Sequence, residues 1–205
     1  MKFDIIIAGV GGQGVLSIGA IISAAAMRGG LRAVQSEVHG MSQRGGAVVS
    51  HLRLSDVGIH SPTIPHGSAD LILGLEPLEA LRYVDSLSAG GALISATEPV
   101  SNIPDYPPMK EVLWSILRLP RGHLIDAAKI ARETGAVMAA NVVIVGAATD
   151  FLPIDAGEVR CAIADAFRSK GERLLDVNLA AFEAGRRALQ HREVVDEFET
   201  FAVTN

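Results

Sequence analysis

The sequence predicts an α/β domain with three layers, α/β/α, around a mostly parallel but mixed sheet, and three observations support this class. A short apolar run at residues 5–8 leads through a glycine loop into an apolar helical segment, which is a Rossmann-like start. Alternating residues at 47–55 indicate an internal β-hairpin. Helical periodicity over about 140–193 predicts C-terminal helices.

Length and composition fit a single domain over residues 1–205. With 205 residues and 49% hydrophobic content, the chain can bury a substantial core. A net charge of −5 argues against nucleic acid or an anionic membrane as the main partner, because both need a basic face. Residues 5–27 carry no charge, but the glycines in their middle argue against a membrane span. Because Cys161 is the single cysteine, an intramolecular disulfide is excluded, and we expect a cytoplasmic location.

A glycine loop joins the first strand to the first helix, which begins at Val15 and stops at the glycine pair 29–30. The loop reads G-V-G-G-Q-G and contains a G-x-G-x-x-G match. Its candidate site residues are Gly9, Gly11, Gly12, Gln13 and Gly14. Such glycines permit a tight turn and the approach of a ligand or neighbouring chain, and the first helical turn favours an anion. Chain reversal and helix packing alone would explain the same glycines.

A second polar loop, at 36–46, follows a second strand predicted at 31–35. Its candidate site residues are Glu37, His39, Ser42, Gln43, Arg44, Gly45 and Gly46. The arginine places a permanent bidentate donor beside two glycines, which suits phosphate, carboxylate or a facing subunit. A salt bridge within the domain is the alternative interpretation.

The remaining elements follow from local patterns. After the strand at 47–55, a turn at 55–58 and a returning strand from Ile59 complete the predicted hairpin. A strand at 70–75, a helix from Glu76 through Val84 and a strand at 92–96 have the length of a right-handed crossover unit. Five prolines at 99–121 predict a surface excursion, in which 110–117 is a short strand or helix.

The C-terminal part begins after a last strand at 124–125. Asp126 caps a helix that runs to Glu133, and Gly135 stops it. Residues 142–149 are apolar all round and predict a buried helix. Asp155 and Glu158 form a near capping box for the next helix, and a final helix runs from near 176 to beyond 187.

No residue is assigned as a catalytic acid, base or nucleophile. The sequence has no G-x-S-x-G elbow of the kind that serine hydrolases use. Four of the histidines lack the paired spacing of zinc ligands, so no metal site is predicted; they are His39, His51, His60 and His66.

Four motifs in combination resemble one enzyme family. They are G-V-G-G-Q-G at 9–14, S-E-V-H-G-M-S-Q-R-G-G at 36–46, S-P at 61–62 and A-D-L-I-L-G-L-E-P-L-E-A at 69–80. Together they resemble the gamma domain of the 2-oxoacid:ferredoxin oxidoreductases, and stretches at Asn141, Gly146 and 178–185 extend the resemblance over nearly the whole chain. The H-G-M-S-Q-R-G-G segment is most similar to the beta subunits of the indolepyruvate branch of that family.

The resemblance implies the small subunit of an enzyme that decarboxylates an aryl 2-oxoacid, indolepyruvate, on thiamine diphosphate. Electrons would pass through 4Fe-4S clusters to ferredoxin, and CoA would be the cosubstrate. The thiamine diphosphate and the clusters are expected on a large alpha subunit, so this chain would bind no cofactor alone. Its partners would be that alpha subunit and, indirectly, ferredoxin, with a homodimer left open. The loops at 11–14 and 42–46 would face the substrate or CoA channel.

Two other interpretations stay open from the residues alone. The chain could be a free-standing NAD(P)-dependent oxidoreductase, in which Gly9, Gly11 and Gly14 hold the dinucleotide and Glu37 binds the ribose. It could also be a non-catalytic interaction module, in which both glycine loops only shape an interface.

Overall fold

The computed structural model describes residues 1–39, 45–100, 103–135 and 137–190. Its strands are β1 (Lys2–Val10), β2 (Arg32–His39), β3 (Ala47–Ser55), β4 (Ala69–Gly74), β5 (Leu87–Ala96) and β6 (Gly122–Ile125). Its α-helices are α1 (Val15–Arg28), α2 (Pro77–Leu81), α3 (Met109–Leu117), α4 (Ala127–Glu133), α5 (Ala140–Ala148), α6 (Ala156–Arg168) and α7 (Glu172–Gln190).

The strands form one mixed sheet in the order β2-β3-β1-β4-β5-β6. β1, β4, β5 and β6 are parallel to one another, whereas β3 runs antiparallel between β1 and β2. The predicted mixed, mostly parallel sheet is therefore confirmed. Because parallel strands end at the same edge, the segments after β1, β4 and β5 lie side by side, where ligands bind in many α/β folds.

Helices cover both faces of the sheet, as the three-layer prediction requires. Ile5 and Ile7 face α1 and the helices α4 to α7, while Ile6 faces α2 and α3. All three isoleucines are fully buried, which explains why β1 is an uninterrupted apolar run. In the described ranges, no helix combines the length and apolarity that a bilayer crossing requires.

Most predicted helix ends are confirmed. α1 ends before the glycine pair at 29–30, and the Asp126 carboxylate accepts the Lys129 N–H at 2.9 Å to cap α4. α5 is buried along most of its length, as its apolar sequence predicts. The segment at 110–117 lies in helix α3 rather than in a strand.

Three helix predictions need correction. α2 ends at Leu81, and Val84 begins a separate 3₁₀ turn. α7 begins at residue 172, earlier than predicted. Asp155 caps α6 by accepting the Gly157 N–H at 2.7 Å, but Glu158 binds the Arg28 guanidinium at 2.7 Å instead of completing a capping box.

The predicted strand at 47–55 does form a hairpin, but its partner is β2 and not a returning strand from Ile59. β2 continues to His39, beyond the predicted end at residue 35, and pairs antiparallel with β3. No strand begins at Ile59. Pro62 and Pro65 follow it, and proline cannot donate to a strand ladder.

Side chains of β3, rather than a strand ladder, hold the segment at 59–65 against the sheet. Arg53 donates to the carbonyl oxygens of Ser61 and Thr63, each at 3.1 Å. The His51 Nδ1 accepts the Ile64 N–H at 3.1 Å, and the Ile64 side chain is buried. The segment at 59–65, here called the strap, is therefore irregular and is held to the middle of β3 by side-chain hydrogen bonds.

Candidate functional site

The first glycine loop lies at the carboxyl edge of the sheet, between β1 and α1. Gly12 and Gly14 have φ angles of 103° and 87°, which lie in the left-handed region that favours glycine. Gly14 is the N-cap of α1 and, having no side chain, cannot itself cap the first helical turn. The amides of that turn are left to other partners, as at any helix N-terminus.

The Gln13 side chain turns inward and ties the loop to the sheet. Its Oε1 accepts the Val10 N–H at 2.7 Å, and its Nε2 donates to the Leu75 carbonyl oxygen at 2.9 Å. A Cβ at Gly9 would lie 2.9 Å from that Oε1, so the glycine makes room for the amide. Gln13 thus links the ends of β1 and β4 by hydrogen bonds. Its position in a glycine loop does not predict this structural role.

The two glycine loops contact each other. The Gly11 N–H donates to the Gly46 carbonyl oxygen at 2.9 Å. Gly45, next to it, has a φ angle of 78°. The neighbouring candidates Ser42, Gln43 and Arg44 lie outside the described residues.

Glu37 and His39 belong to β2, not to the predicted loop. The Glu37 carboxylate lies 3.1 Å from the His39 ring nitrogen and 3.4 Å from the Gln35 amide. In a dinucleotide-binding fold the ribose-binding acid ends a strand beside β1, but here β3 separates β2 from β1. Two strand spacings of about 5 Å each therefore lie between Glu37 and the first loop.

Asn141, in the first turn of α5, packs against the first glycine loop. A Cβ at Gly14 would overlap the Asn141 side-chain amide, so this contact requires glycine for space as well as for its φ angle. The sequence placed Asn141 only within a resembling stretch. Its contact with Gly14 joins residues far apart in the chain, so no local pattern could reveal it.

Two clefts open on either side of this loop. The large cleft, of about 1050 Å³, runs from the loop between α1, α6 and α7. The small cleft, of about 210 Å³, lies toward Leu75 and Ala96 at the sheet edge. Gly12, Gln13 and Asn141 line both clefts. The loop therefore forms part of the wall of both clefts.

Exposed apolar side chains surround the clefts. Val137 and Met138, which line both clefts, are 65% and 87% exposed. Leu174, on the rim of the large cleft, is 46% exposed, and Leu16 in the first turn of α1 is also exposed. Such clustering of large exposed apolar side chains is typical of a surface that another molecule covers.

A buried carboxylate follows Leu75 at the same edge. The Glu76 carboxylate caps α2 by accepting the Glu79 N–H at 2.7 Å and also accepts the Tyr106 hydroxyl at 2.5 Å. Burial and the nearby Glu76 carboxylate raise the pKa of Tyr106 above its ordinary value, so the phenol stays protonated as a donor. This pair anchors the proline-rich excursion rather than offering a proton to a substrate.

Within the described ranges, no group of three or more His, Cys, Asp or Glu side chains could hold a metal ion. The described part of the glycine-loop edge is built mainly from backbone, the amides of Gln13 and Asn141, and apolar side chains. Such a surface can bind and orient a ligand or a neighbouring chain and exclude water.

Comparison with known proteins places this architecture in one family. Residues 4–188 match the family model for pyruvate ferredoxin/flavodoxin oxidoreductase. The chain is 39% identical to indolepyruvate oxidoreductase subunit IorB of Archaeoglobus fulgidus, over 90% of this chain and 94% of that protein. It is 33% identical to 2-oxoglutarate synthase subunit KorC of Methanothermobacter marburgensis, over 92% of this chain and 97% of that protein.

Solved structures share the fold. The gamma subunit of a keto/oxoacid ferredoxin oxidoreductase from Geobacter sulfurreducens has a TM-score of 0.68 at 24% identity, over 93% of this chain and 98% of that one. A 2-oxoglutarate:ferredoxin oxidoreductase from Magnetococcus marinus, with 2-oxoglutarate, coenzyme A and succinyl-CoA bound, has a TM-score of 0.74 at 24% identity. The match covers 93% of this chain but only 31% of that longer chain.

Proposed function

Because the chain belongs to the pyruvate ferredoxin/flavodoxin oxidoreductase family, we propose that it is the small subunit of an indolepyruvate:ferredoxin oxidoreductase. The observation that carries the proposal is the 39% identity to an IorB subunit over almost the full length of both chains. The likeness to a 2-oxoglutarate synthase subunit, at 33% identity, makes 2-oxoglutarate the competing substrate.

The reactive groups belong on a large alpha subunit in this proposal. A 4Fe-4S cluster needs four thiolates, and this chain has only Cys161, so the clusters do not fit here. Thiamine diphosphate on the large subunit would supply the decarboxylation chemistry, with CoA as cosubstrate and ferredoxin reached indirectly. In this proposal the enzyme acts in the cytoplasm.

The small subunit's own task is to complete the walls of the active site. The paired glycine loops, joined between Gly11 and Gly46, offer backbone that a neighbouring chain or CoA can approach closely. Arg44, beside them in the sequence, would hold an anionic group or fix the interface. The exposed apolar side chains around the clefts support burial of this edge against the large subunit.

Reconstitution tests the proposal. We expect the purified chain alone to be inactive, and the two-subunit complex to reduce ferredoxin with indolepyruvate and CoA. Indolepyruvate should give a higher kcat/KM than 2-oxoglutarate or pyruvate. Turnover of a small molecule by the isolated chain, or a complex that prefers 2-oxoglutarate, would contradict it.

Arg44→Ala separates the two roles of the second loop. Assembly is measured by size-exclusion chromatography and turnover by ferredoxin reduction, with Arg187→Ala, on an exposed face of α7, as a matched control. Normal assembly with raised KM for CoA or oxoacid would assign the arginine to an anionic ligand. Failed assembly would assign it to the interface, and no change in either would remove it from the site.

Glu37 lies on β2, which β3 separates from the first glycine loop, and this position argues against the interpretation as an NAD(P)-dependent oxidoreductase. Titration of the isolated chain with NADH, followed by fluorescence, should show no saturable binding in the micromolar range. Saturable binding that Gly11→Ala abolishes would favour the free-standing oxidoreductase instead.

A further inference from the structure

The large cleft has an apolar floor that this chain leaves uncovered within the described ranges. The floor lies between α1 and α6, where Ala20 and Ala166 are exposed beside the buried Ile21 and Ala162. The start of α7 supplies Leu174, which is 46% exposed. A concave apolar surface of this size is costly to leave in water and is suited to a segment of another chain.

The rim of the same cleft is basic, although the whole chain carries a net charge of −5. Lys170 and Arg173 line it, and both are exposed. Among the described residues neither has a carboxylate partner within 4 Å; the ammonium of Lys170 lies over the Phe167 ring at 4.8 Å. Asp165 also lines the cleft, but its carboxylate is bound by Arg28 and Arg168, each at 3.2 Å.

Resting on the proposed small-subunit function, we propose that this cleft receives an apolar, acidic segment of the large subunit. Carboxylates of that segment would pair with Lys170 and Arg173, while its apolar side chains cover the floor. The cleft is continuous with the glycine loop and with Val137 and Met138, so one interface would cover both. The partner segment thereby holds the loop at the active-site edge.

Filling the cleft tests the apolar contact. Ala166→Trp places a bulky side chain on the exposed floor, and Ala180→Trp, exposed on α7 outside the cleft, is the matched control. We expect Ala166→Trp to raise the Kd for the purified large subunit about tenfold or more, and the control to change it less than about twofold. Circular dichroism melting verifies that both variants fold; equal Kd values for both would overturn the proposal.

Charge reversal tests the rim. Arg173→Glu should weaken association with the large subunit and flatten its dependence on salt, whereas Arg187→Glu on the same helix makes the same charge change outside the cleft. Identical affinities and salt slopes for the two variants would overturn the acidic-partner proposal.

Photo-crosslinking identifies the occupant. Benzoylphenylalanine replaces the exposed Leu174 on the rim of the cleft in the full two-subunit complex, and mass spectrometry identifies the joined peptide. A large-subunit peptide containing apolar residues and Asp or Glu is expected; a peptide from a second copy or from residues 191–205 of this chain would overturn the proposal. If the wild-type chain does not bind the large subunit at all, the proposed function itself fails, whereas intact binding with no effect at the cleft refutes only the docking site.

Discussion

Gly12 and Gly14 both have positive φ angles, but only Gly14 lies against another side chain. An added Cβ at Gly12 meets nothing within 4 Å, whereas one at Gly14 overlaps the Asn141 amide. We expect Gly12→Ala to lower the free energy of unfolding by about 1 kcal/mol, from backbone strain alone. Gly14→Ala should lower it by about 3 kcal/mol, because strain and overpacking add. Urea unfolding of both variants measures the difference.

A double-mutant cycle identifies the cause. If the Asn141 contact is responsible, Asn141→Ala should recover about 1–2 kcal/mol in the Gly14→Ala background but not in the Gly12→Ala background. Equal costs for the two glycines, or no coupling to Asn141, would show that the loop relaxes away from α5.

His51 makes the strap sensitive to pH. Burial and the neighbouring Arg53 lower the pKa of His51, because both disfavour the charged ring, and Nδ1 must stay unprotonated to accept the Ile64 N–H. With the folded pKa below the unfolded value of 6.5, the unfolded chain binds the proton more tightly. The stabilisation is therefore present above pH 6.5 and is lost as the pH falls through the folded pKa.

Urea midpoints measured from pH 8 to pH 5 test this. The wild type should lose stability toward pH 5 more steeply than His51→Asn, whose side-chain oxygen can still accept the N–H but does not titrate. His66→Asn, an exposed histidine, is the control and should follow the wild type. If stability falls with pH as steeply in His51→Asn as in the wild type, other groups cause the pH dependence.

At the scale of elements, α5 and α7 approach closely because each has a glycine at their contact. A Cβ at Gly146 would overlap the Phe182 carbonyl oxygen, and one at Gly185 would overlap the Val143 carbonyl oxygen. Gly146→Ala and Gly185→Ala should each cost about 2–3 kcal/mol, because backbone atoms cannot yield as a flexible side chain can. Thermal unfolding measures this, and Gly90→Ala, with open space around its Cβ, should be nearly neutral. Near-neutral substitutions at 146 and 185 would mean that the helices separate without cost.

Sequence reasoning succeeded for elements whose signals are local. Buried strands such as β1 are apolar on both faces, and Asp126 caps its helix through the next few residues, so short windows contain the information. It predicted β2 but ended the strand too early, at residue 35, because Gln35, Ser36 and Glu37 of this edge strand are polar and one side of the strand faces solvent. The Asp-Val-Gly turn at 56–58 then suggested a hairpin that the prolines after it prevent.

For the candidate site, the sequence singled out the two glycine loops but not the contacts that they make. The resemblance implies only that both loops face the substrate or CoA channel, and the bond between Gly11 and Gly46 shows that the loops also contact each other. The inward turn of Gln13 and the contact of Asn141 with Gly14 did not follow, because each depends on tertiary neighbours from other elements. A glycine motif therefore predicts close approach, but only the fold shows what approaches.

For the whole molecule, substitution of exposed apolar side chains tests which edge faces the proposed large subunit. Met138 lines both clefts and is 87% exposed. Met27 is 59% exposed at the C-terminal end of α1, far from the glycine loop, and lines neither cleft. Met138→Asp should leave the melting temperature unchanged, since the side chain is in water in the free chain. In the complex, however, it would bury an unpaired carboxylate against the large subunit.

We therefore expect Met138→Asp to weaken association with the large subunit by about 2 kcal/mol or more, close to thirtyfold in Kd, as for a central interface residue. Met27→Asp makes the same change on a comparable methionine and should alter Kd less than about twofold. Isothermal titration calorimetry measures both affinities. If Met27→Asp proves the damaging variant, the far end of α1 and not the glycine-loop edge faces the large subunit, and the active-site wall must then be sought on that surface.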